Sequence, residues 1–218
     1  MKQRHSIDDL LEVMAKLRAP NGCPWDREQD HMTLRFYAVE EVYELLDAIE
    51  ARDDHEMEEE LGDLLLQVLF HCQLAKERGA FDFEQVCRRV VSKLIHRHPH
   101  VFGEKKLHSA DAVLVQWEQI KRAEKKGTRH ERPSALDGIP KRLPALLRAH
   151  DLVKKARRAK LLPKRSGAAR KSSSAVAREL FELAEFCQAK GWNAEALLRA
   201  EIQKREKALR KLETSHRT

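Results

Sequence analysis

Apolar positions recur at helical spacing from the start of the chain. Ile7, Leu10, Leu11, Met14 and Leu17 follow an i, i+3, i+4 pattern behind Ser6, a helix-capping residue type, which predicts a helix from Ser6 to about Arg18. Pro20, Gly22 and Pro24 then force a loop. The pattern resumes over 33–51 and again from Asp53 or Asp54 to Arg78, where Gly79 ends it. Asp82 caps a fourth predicted helix that runs to Arg97 and is broken by Pro99. A fifth opens at Ser109 or Ala110 and ends before Gly127. Residues 127–144 contain three prolines and two glycines and read as a linker. A basic helix over 143–160 follows. Lys164 to Ser174 is poor in apolar residues, which predicts disorder. Helices over 174–190 and 193–212 close the chain. Alternating strand patterns do not compete anywhere, and the expected fold class is all-α.

Composition agrees with helix over strand. The chain has 218 residues, 42% apolar and 35% charged, with only 7 Phe and 2 Tyr. Its length suits one ordinary domain, or one domain plus a small appendage. No run approaches 18 uncharged apolar residues, and the first residues lack the hydrophobic stretch of a signal peptide, so a cytoplasmic protein with no membrane partner is expected. Cys23, Cys72, Cys87 and Cys187 form no CxxC pair and suit reduced thiols better than a disulfide frame or a zinc site.

The net charge of +7 conceals an asymmetry. Residues 40–63 hold twelve carboxylates against Arg52 alone, whereas residues 141–171 hold twelve lysines and arginines against Asp151 alone. The acidic run lies on apolar helices rather than in a polar tail, and this changes its meaning. At 100° per residue, Val42, Leu45, Leu46 and Ile49 share one arc of the second helix and form its expected packing face. Glu40, Glu44 and Asp47 lie opposite, with Glu41 at the flank. Glu41 and Glu44 are i, i+3 neighbours that reach one point beside the helix. On the third helix Glu56, Glu60, Asp63 and Gln67 form a stripe, and Leu61, Leu64, Leu65, Leu66, Val68, Leu69 and Phe70 occupy the rest of the circumference. That helix is expected to be mostly buried, with Glu60 and Asp63 turned inward and Gly62 marking a close approach. Facing carboxylates in a poorly solvated place demand protons or a cation, and all-oxygen ligands favour Mg²⁺ or Mn²⁺.

Glu40-Glu41-Val42-Tyr43-Glu44 followed by Glu60-Leu61-Gly62-Asp63 resembles the EExxE…ExxD signature of the MazG nucleoside triphosphate pyrophosphohydrolases. Cys23-Pro24-Trp25-Asp26, His98-Pro99-His100-Val101-Phe102 and Trp117-Glu118-Gln119-Ile120-Lys121 are also similar to MazG motifs, in the same order, over residues 1–126. The resemblance implies a MazG-like helical bundle that dimerises or forms a larger homo-oligomer. It also implies Mg²⁺-dependent hydrolysis of an NTP or dNTP to monophosphate and pyrophosphate, with Mn²⁺ as an alternative ion. It makes Glu41, Glu44, Glu60 and Asp63 the metal ligands, and Glu40 an extra carboxylate for a second metal or for orienting water. Lys93 and Arg97, i, i+4 on the fourth helix, match a pair that binds the triphosphate, with Lys121 as a further cation. Trp25 is a candidate for stacking on the base, with lidding of the core as an equal alternative, and His98 and His100 are expected to cap and pack.

Longer members of that family carry two copies of the domain. Here Lys154 to Ser174 stands where the second acidic helix belongs and contains no carboxylate, while Glu179-Leu180-Phe181-Glu182 resembles a worn ExxD. The expected organisation is therefore a catalytic domain over 1–126, a basic linker and helix over 127–173, and a degenerate second half-domain over 174–218. The expected role is nucleotide-pool housecleaning. The alternative is a non-catalytic scaffold or nucleic-acid-binding protein working through the basic C-terminal half. Contact with nucleic acid through 141–171 is the less favoured reading, since no aromatic residues interleave the cations there.

Overall fold

The computed structural model describes residues 6–107, 109–163 and 171–215. The described residues form ten helices and no strand; the all-α class is as the apolar spacing predicts, and two short helices, Pro24–Glu28 and Pro99–Phe102, stand where a loop and a break are expected. None of these helices is long and apolar enough to cross a membrane. The chain divides into two compact units, Met1–Ser109 and Ala110–Thr218.

The first unit begins with α1 (Ile7–Leu17). The Ser6 N–H donates to Asp9 Oδ2 at 2.7 Å and the Asp9 N–H donates to Ser6 Oγ at 3.4 Å, a reciprocal cap. Gly22 is needed in the following loop because a Cβ there would stand 2.1 Å from the Leu17 carbonyl oxygen. A short α2 (Pro24–Glu28) leads to a turn and then to α3 (Tyr37–Ala51), which starts four residues later than the periodicity suggests. In that turn the Asp30 carboxylate accepts the N–H groups of Met32 and Thr33 at 2.6 and 2.8 Å, so these residues stay out of the helix. Asp53 caps α4 (Asp54–Glu77) by accepting from the N–H groups of His55 and Glu56. Asp82 and Gln85 cap α5 (Phe83–Arg97), and α6 (Pro99–Phe102) follows His98. Helices α1, α3 and α5 all pack on α4.

The packing of α4 is uneven along its length. Its C-terminal half contributes Leu69, Phe70, Cys72, Leu74 and Ala75 to the interior, and Phe70 and Leu74 join Met14 and Leu34 in one core cluster. Its N-terminal half contributes no buried residue. Leu61 remains 50% exposed, and a Cβ on Gly62 would meet nothing within 4 Å. The expectation of a mostly buried α4 therefore holds only from Gln67 onward, and Gly62 marks no close approach within the chain.

The face of α3 is likewise shifted from the expected arc. The residues turned inward are Ala38, Glu41, Leu45 and Ala48, whereas Val42, Leu46 and Ile49 are exposed. Two alanines let the helices approach closely, and the larger apolar residues are left on the outside.

The second unit contains α7 (Ala110–Ala123), α8 (Ala145–Arg158), α9 (Ser173–Ala189) and α10 (Ala194–Ser215). Leu136, Ala145, Leu152, Ala156, Leu161, Ile202 and Leu209 form its core. Polar ties reinforce the packing of α8 on α10. Arg148 and Arg210 share Glu206, each at 2.7 Å, and Arg210 also reaches Asp137 at 2.7 Å. The α9 helix has no buried residue, and Leu180, Phe181, Leu183 and Phe186 are exposed. The stretch expected to be disordered falls largely outside the described residues, at 164–170.

One buried cation holds the first unit's loop to its helices. Arg18, with its side chain 9% exposed, donates from Nε and Nη2 to the two Glu77 carboxylate oxygens at 2.7 Å each. It also donates to the carbonyls of Asp26 and Gln29 and lies over the Phe70 ring. Arg18→Ala is expected to lower unfolding stability by about 3 kcal/mol, since it strands Glu77 and two loop carbonyls. A urea denaturation midpoint measures this, and Glu77→Gln is expected to cost less because it leaves the loop contacts intact.

Candidate metal centre

The inward stripe of α3 carries one carboxylate among apolar residues, and that residue is Glu41. Opposite it, Glu60 and Asp63 stand one turn apart on α4, so their side chains leave the helix on the same side. One carboxylate oxygen from each of Glu41, Glu60 and Asp63 lies within 4.8 Å of the others, and all three residues are half-buried. Glu44, one turn along α3, is exposed at the rim, yet its charge is felt by both Glu41 and Glu60.

The electrostatics follow from this crowding. Burial, above all, raises the pKa of Glu41 from its ordinary 4.5. A hydrogen bond from Gln67 opposes that rise, and the charges of Asp63 and Glu44 add to it. Glu60 is also raised, first by burial and then by the charges of Glu44, Asp63, Glu41 and Glu59. Glu60 Oε2 is buried with no hydrogen-bond partner among the described residues. Three crowded carboxylates with one orphaned oxygen among them match the donor set of a hard divalent ion such as Mg²⁺ or Mn²⁺.

The comparisons with known proteins point the same way. A family model described as the MazG nucleotide pyrophosphohydrolase domain matches residues 29–102, a span that includes every acidic residue of the cluster. A nucleoside triphosphate pyrophosphohydrolase of Escherichia coli is 48% identical over 152 residues, covering 69% of this chain and 57% of that protein. A nucleoside triphosphate pyrophosphohydrolase/pyrophosphatase MazG of Thermotoga maritima is 48% identical over 150 residues, 69% of this chain and 56% of its own length. An uncharacterized protein of Streptomyces cacaoi is 41% identical over 196 residues, covering 88% of this chain and 76% of that one. The chain belongs to the MazG family.

It spans a little over half the length of the E. coli and T. maritima pyrophosphohydrolases that it matches. The other singled-out residues are spread over several elements, and Trp25 and Lys121 lie outside the span matched by the MazG domain. Glu40 is exposed on the outer side of α3, away from the inward stripe. Lys93 is exposed on α5, and Arg97 is half-buried at its last turn. Trp25 on α2 is 50% exposed and meets the edge of Tyr37, with ring centroids 6.0 Å apart. Lys121 belongs to the second unit, where its ammonium lies 4.3 Å from the centre of the Trp117 ring. His98 Nδ1 donates to the Leu94 carbonyl at 2.7 Å, closing α5, and His100 lies beside it.

Two features of this MazG domain are not visible in local sequence. Gln67 is 8% exposed, and its amide donates to Glu41 Oε1 at 3.3 Å. His31, in the turn before α3, stacks on His71 of α4, with Nδ1 atoms 2.8 Å apart. Both pairings join residues distant in sequence. Gln67 gives a partial signal by falling on the acidic stripe, whereas nothing local marks the histidines.

The raised carboxylates predict a definite pH dependence in metal-free protein. A group whose proton is held more tightly in the folded state stabilises the fold below its unfolded pKa, here 4.5, and that stability drains away as pH rises through the folded value. In EDTA, Glu60→Gln is therefore expected to melt higher than the parent at neutral pH, with the gap narrowing toward pH 4.5. Added Mg²⁺ is expected to raise the parent's melting temperature and leave that of the variant nearly unchanged. Differential scanning calorimetry at the two pH values reads both effects.

Proposed function

We propose that the chain is a Mg²⁺-dependent nucleoside triphosphate pyrophosphohydrolase that cleaves NTPs or dNTPs to the monophosphate and pyrophosphate, with Mn²⁺ able to replace Mg²⁺. The observation that carries this reading is the convergence of Glu41, Glu60 and Asp63 within 4.8 Å inside the span matched by the MazG domain. The two relatives named as pyrophosphohydrolases support it through 48% identity over 152 and 150 residues.

Hydrolysis between the α- and β-phosphorus requires screened phosphate oxygens and a water in line with the departing pyrophosphate. A divalent cation held by Glu41, Glu44, Glu60 and Asp63 supplies that screening and makes the attacking water more acidic. Lys93 and Arg97, one turn apart on α5, bind the remaining phosphate charge. Glu40, exposed on α3, orients water or serves a second ion. Trp25, with half of its surface free, stacks on the base. The raised proton affinity of Glu41 and Glu60 means that the cation must displace protons, so its affinity rises with pH.

The same reading makes the molecule a homodimer or larger homo-oligomer. Val42, Leu46 and Ile49 on α3 and Leu61 and Leu66 on α4 are between 41% and 50% exposed, which is a large apolar surface for one chain to leave in water. Residues 1–126 form the catalytic part in this proposal, 127–173 a basic linker and helix, and 174–218 a degenerate second half-domain that contributes to assembly. Among the described residues, no group of potential metal ligands occurs in the second unit. Glu179, in the worn ExxD, is paired with Lys171 at 2.6 Å. The four cysteines are free thiols, which fits a reducing cytoplasm, and nucleotide-pool housecleaning is the corresponding role.

The rival reading, a scaffold or nucleic-acid binder acting through the basic half, has charge in its favour. However, residues 141–163 offer no Phe, Tyr or Trp on which a base could stack.

Glu60→Ala and Asp63→Ala are each expected to reduce pyrophosphate release at least about a hundredfold while far-UV circular dichroism stays at the parental level. Anion-exchange analysis of the parent's products should give monophosphate and no diphosphate. Parental turnover in either variant, or diphosphate as product, would overturn the proposal.

A further inference from the structure

Gln67 is an unusual residue for its position. It continues the stripe of Glu60 and Asp63 along α4, at i+7 and i+4, and its neighbours in the chain are Leu64, Leu65, Leu66, Val68, Leu69 and Phe70. At 8% exposure it is one of only two buried polar or charged residues among those described. Its amide group donates to Glu41 Oε1 at 3.3 Å, but its carbonyl oxygen is buried without a partner among the described residues. A second oxygen, Glu60 Oε2 of the acidic cluster itself, is in the same condition. An unsatisfied buried acceptor destabilises the fold, and a leucine would suit the surroundings at no such cost.

The two orphaned oxygens have a common explanation. One belongs to the acidic cluster and the other to the residue that donates to it, and both are acceptors awaiting a cation or the hydrogens of bound water. Glutamine is suited to this place because its amide is neutral at every accessible pH. It can therefore direct a donor at Glu41 without adding to the crowd of negative charge, as a glutamate would, or cancelling it, as a lysine would.

We propose that Gln67 is a positioning residue of the metal centre. Its N–H group holds the Glu41 carboxylate in place across the α3–α4 interface, and its carbonyl oxygen accepts a hydrogen from water bound in the filled site. This rests on the divalent-cation reading above and extends it from the ligands to the residue that orients one of them.

The test uses the full chain and Mn²⁺ or Mg²⁺ alone. Gln67→Leu removes donor and acceptor while filling a similar volume. Isothermal titration calorimetry is expected to show the dissociation constant for either ion weakened about 10–100-fold. The melting temperature in EDTA is expected to stay equal or rise, because a half-satisfied amide has been replaced by an apolar group. With saturating metal, kcat is expected to fall while the KM for nucleotide changes little. Gln67→Met, unbranched and similar in length, provides the same measurements if the leucine variant does not fold. Parental metal affinity in a folded Gln67 variant would overturn the positioning role and leave the proposed activity standing. Failure of both variants to fold would make Gln67 a structural residue and would also overturn it. Absence of metal binding in the parent itself would instead remove the divalent-cation reading on which the proposal rests.

Discussion

The repulsion among Glu41, Glu60 and Asp63 is the constraint around which the first unit is organised. Three half-buried carboxylates within 4.8 Å oppose the packing of α3 on α4, and they do so at the end of α4 that has the least apolar support. The fold tolerates them because the opposite half of α4 is anchored. Phe70 and Leu74 are locked against Met14 and Leu34, and Arg18 fastens α1 and the α2 loop to Glu77. Stability generated at one end of a 24-residue helix thus carries an electrostatically costly cluster at the other. A site built in this way favours the ligand that removes the cost, and a small divalent cation does so directly.

The acidic cluster differs from the core-bracing carboxylates in its partners. In the second unit, the acidic residues that brace the core have partners. Glu206 is held by two arginines, Asp137 by Arg210, and Glu213 by Ser134 and the Ala135 N–H. Glu195 accepts from the Ala145 N–H and is paired with Arg199. These carboxylates reinforce the packing of α8 and α10. In the first unit the cluster pairs with no lysine or arginine among the described residues, and Gln67 is the side chain that donates to it. Glu77 of the first unit is satisfied in the same way by Arg18, so the contrast lies between these braced carboxylates and the cluster of Glu41, Glu60 and Asp63.

Much of the architecture is legible in the amino-acid sequence. Ser6, Asp53 and Asp82 are capping residues whose side chains bond to the N–H groups just after them, so local sequence suffices to place the helix starts. Glu60 and Asp63 are legible as an inward pair because their helix is otherwise leucine-rich. The packing face of α3 is not. Periodicity identifies Val42, Leu46 and Ile49 as one apolar arc, but it cannot say whether that arc meets this chain or another surface. The closest approach falls to Ala38 and Ala48, whose small side chains register weakly on any hydrophobic scale. Gln67 with Glu41 and His31 with His71 lie 26 and 40 residues apart, and only the folded register of loop and helices brings them together.

The central claim is that this acidic cluster is a divalent-cation site, and Mn²⁺ titration followed by electron paramagnetic resonance tests it most directly. At neutral pH the account predicts that the free-ion signal stays suppressed until a saturable site is filled. It also predicts that Mg²⁺ releases the bound Mn²⁺ and that Asp63→Asn abolishes the suppression. A free-ion signal that climbs in proportion to every addition from the first, in parent and variant alike, would contradict it.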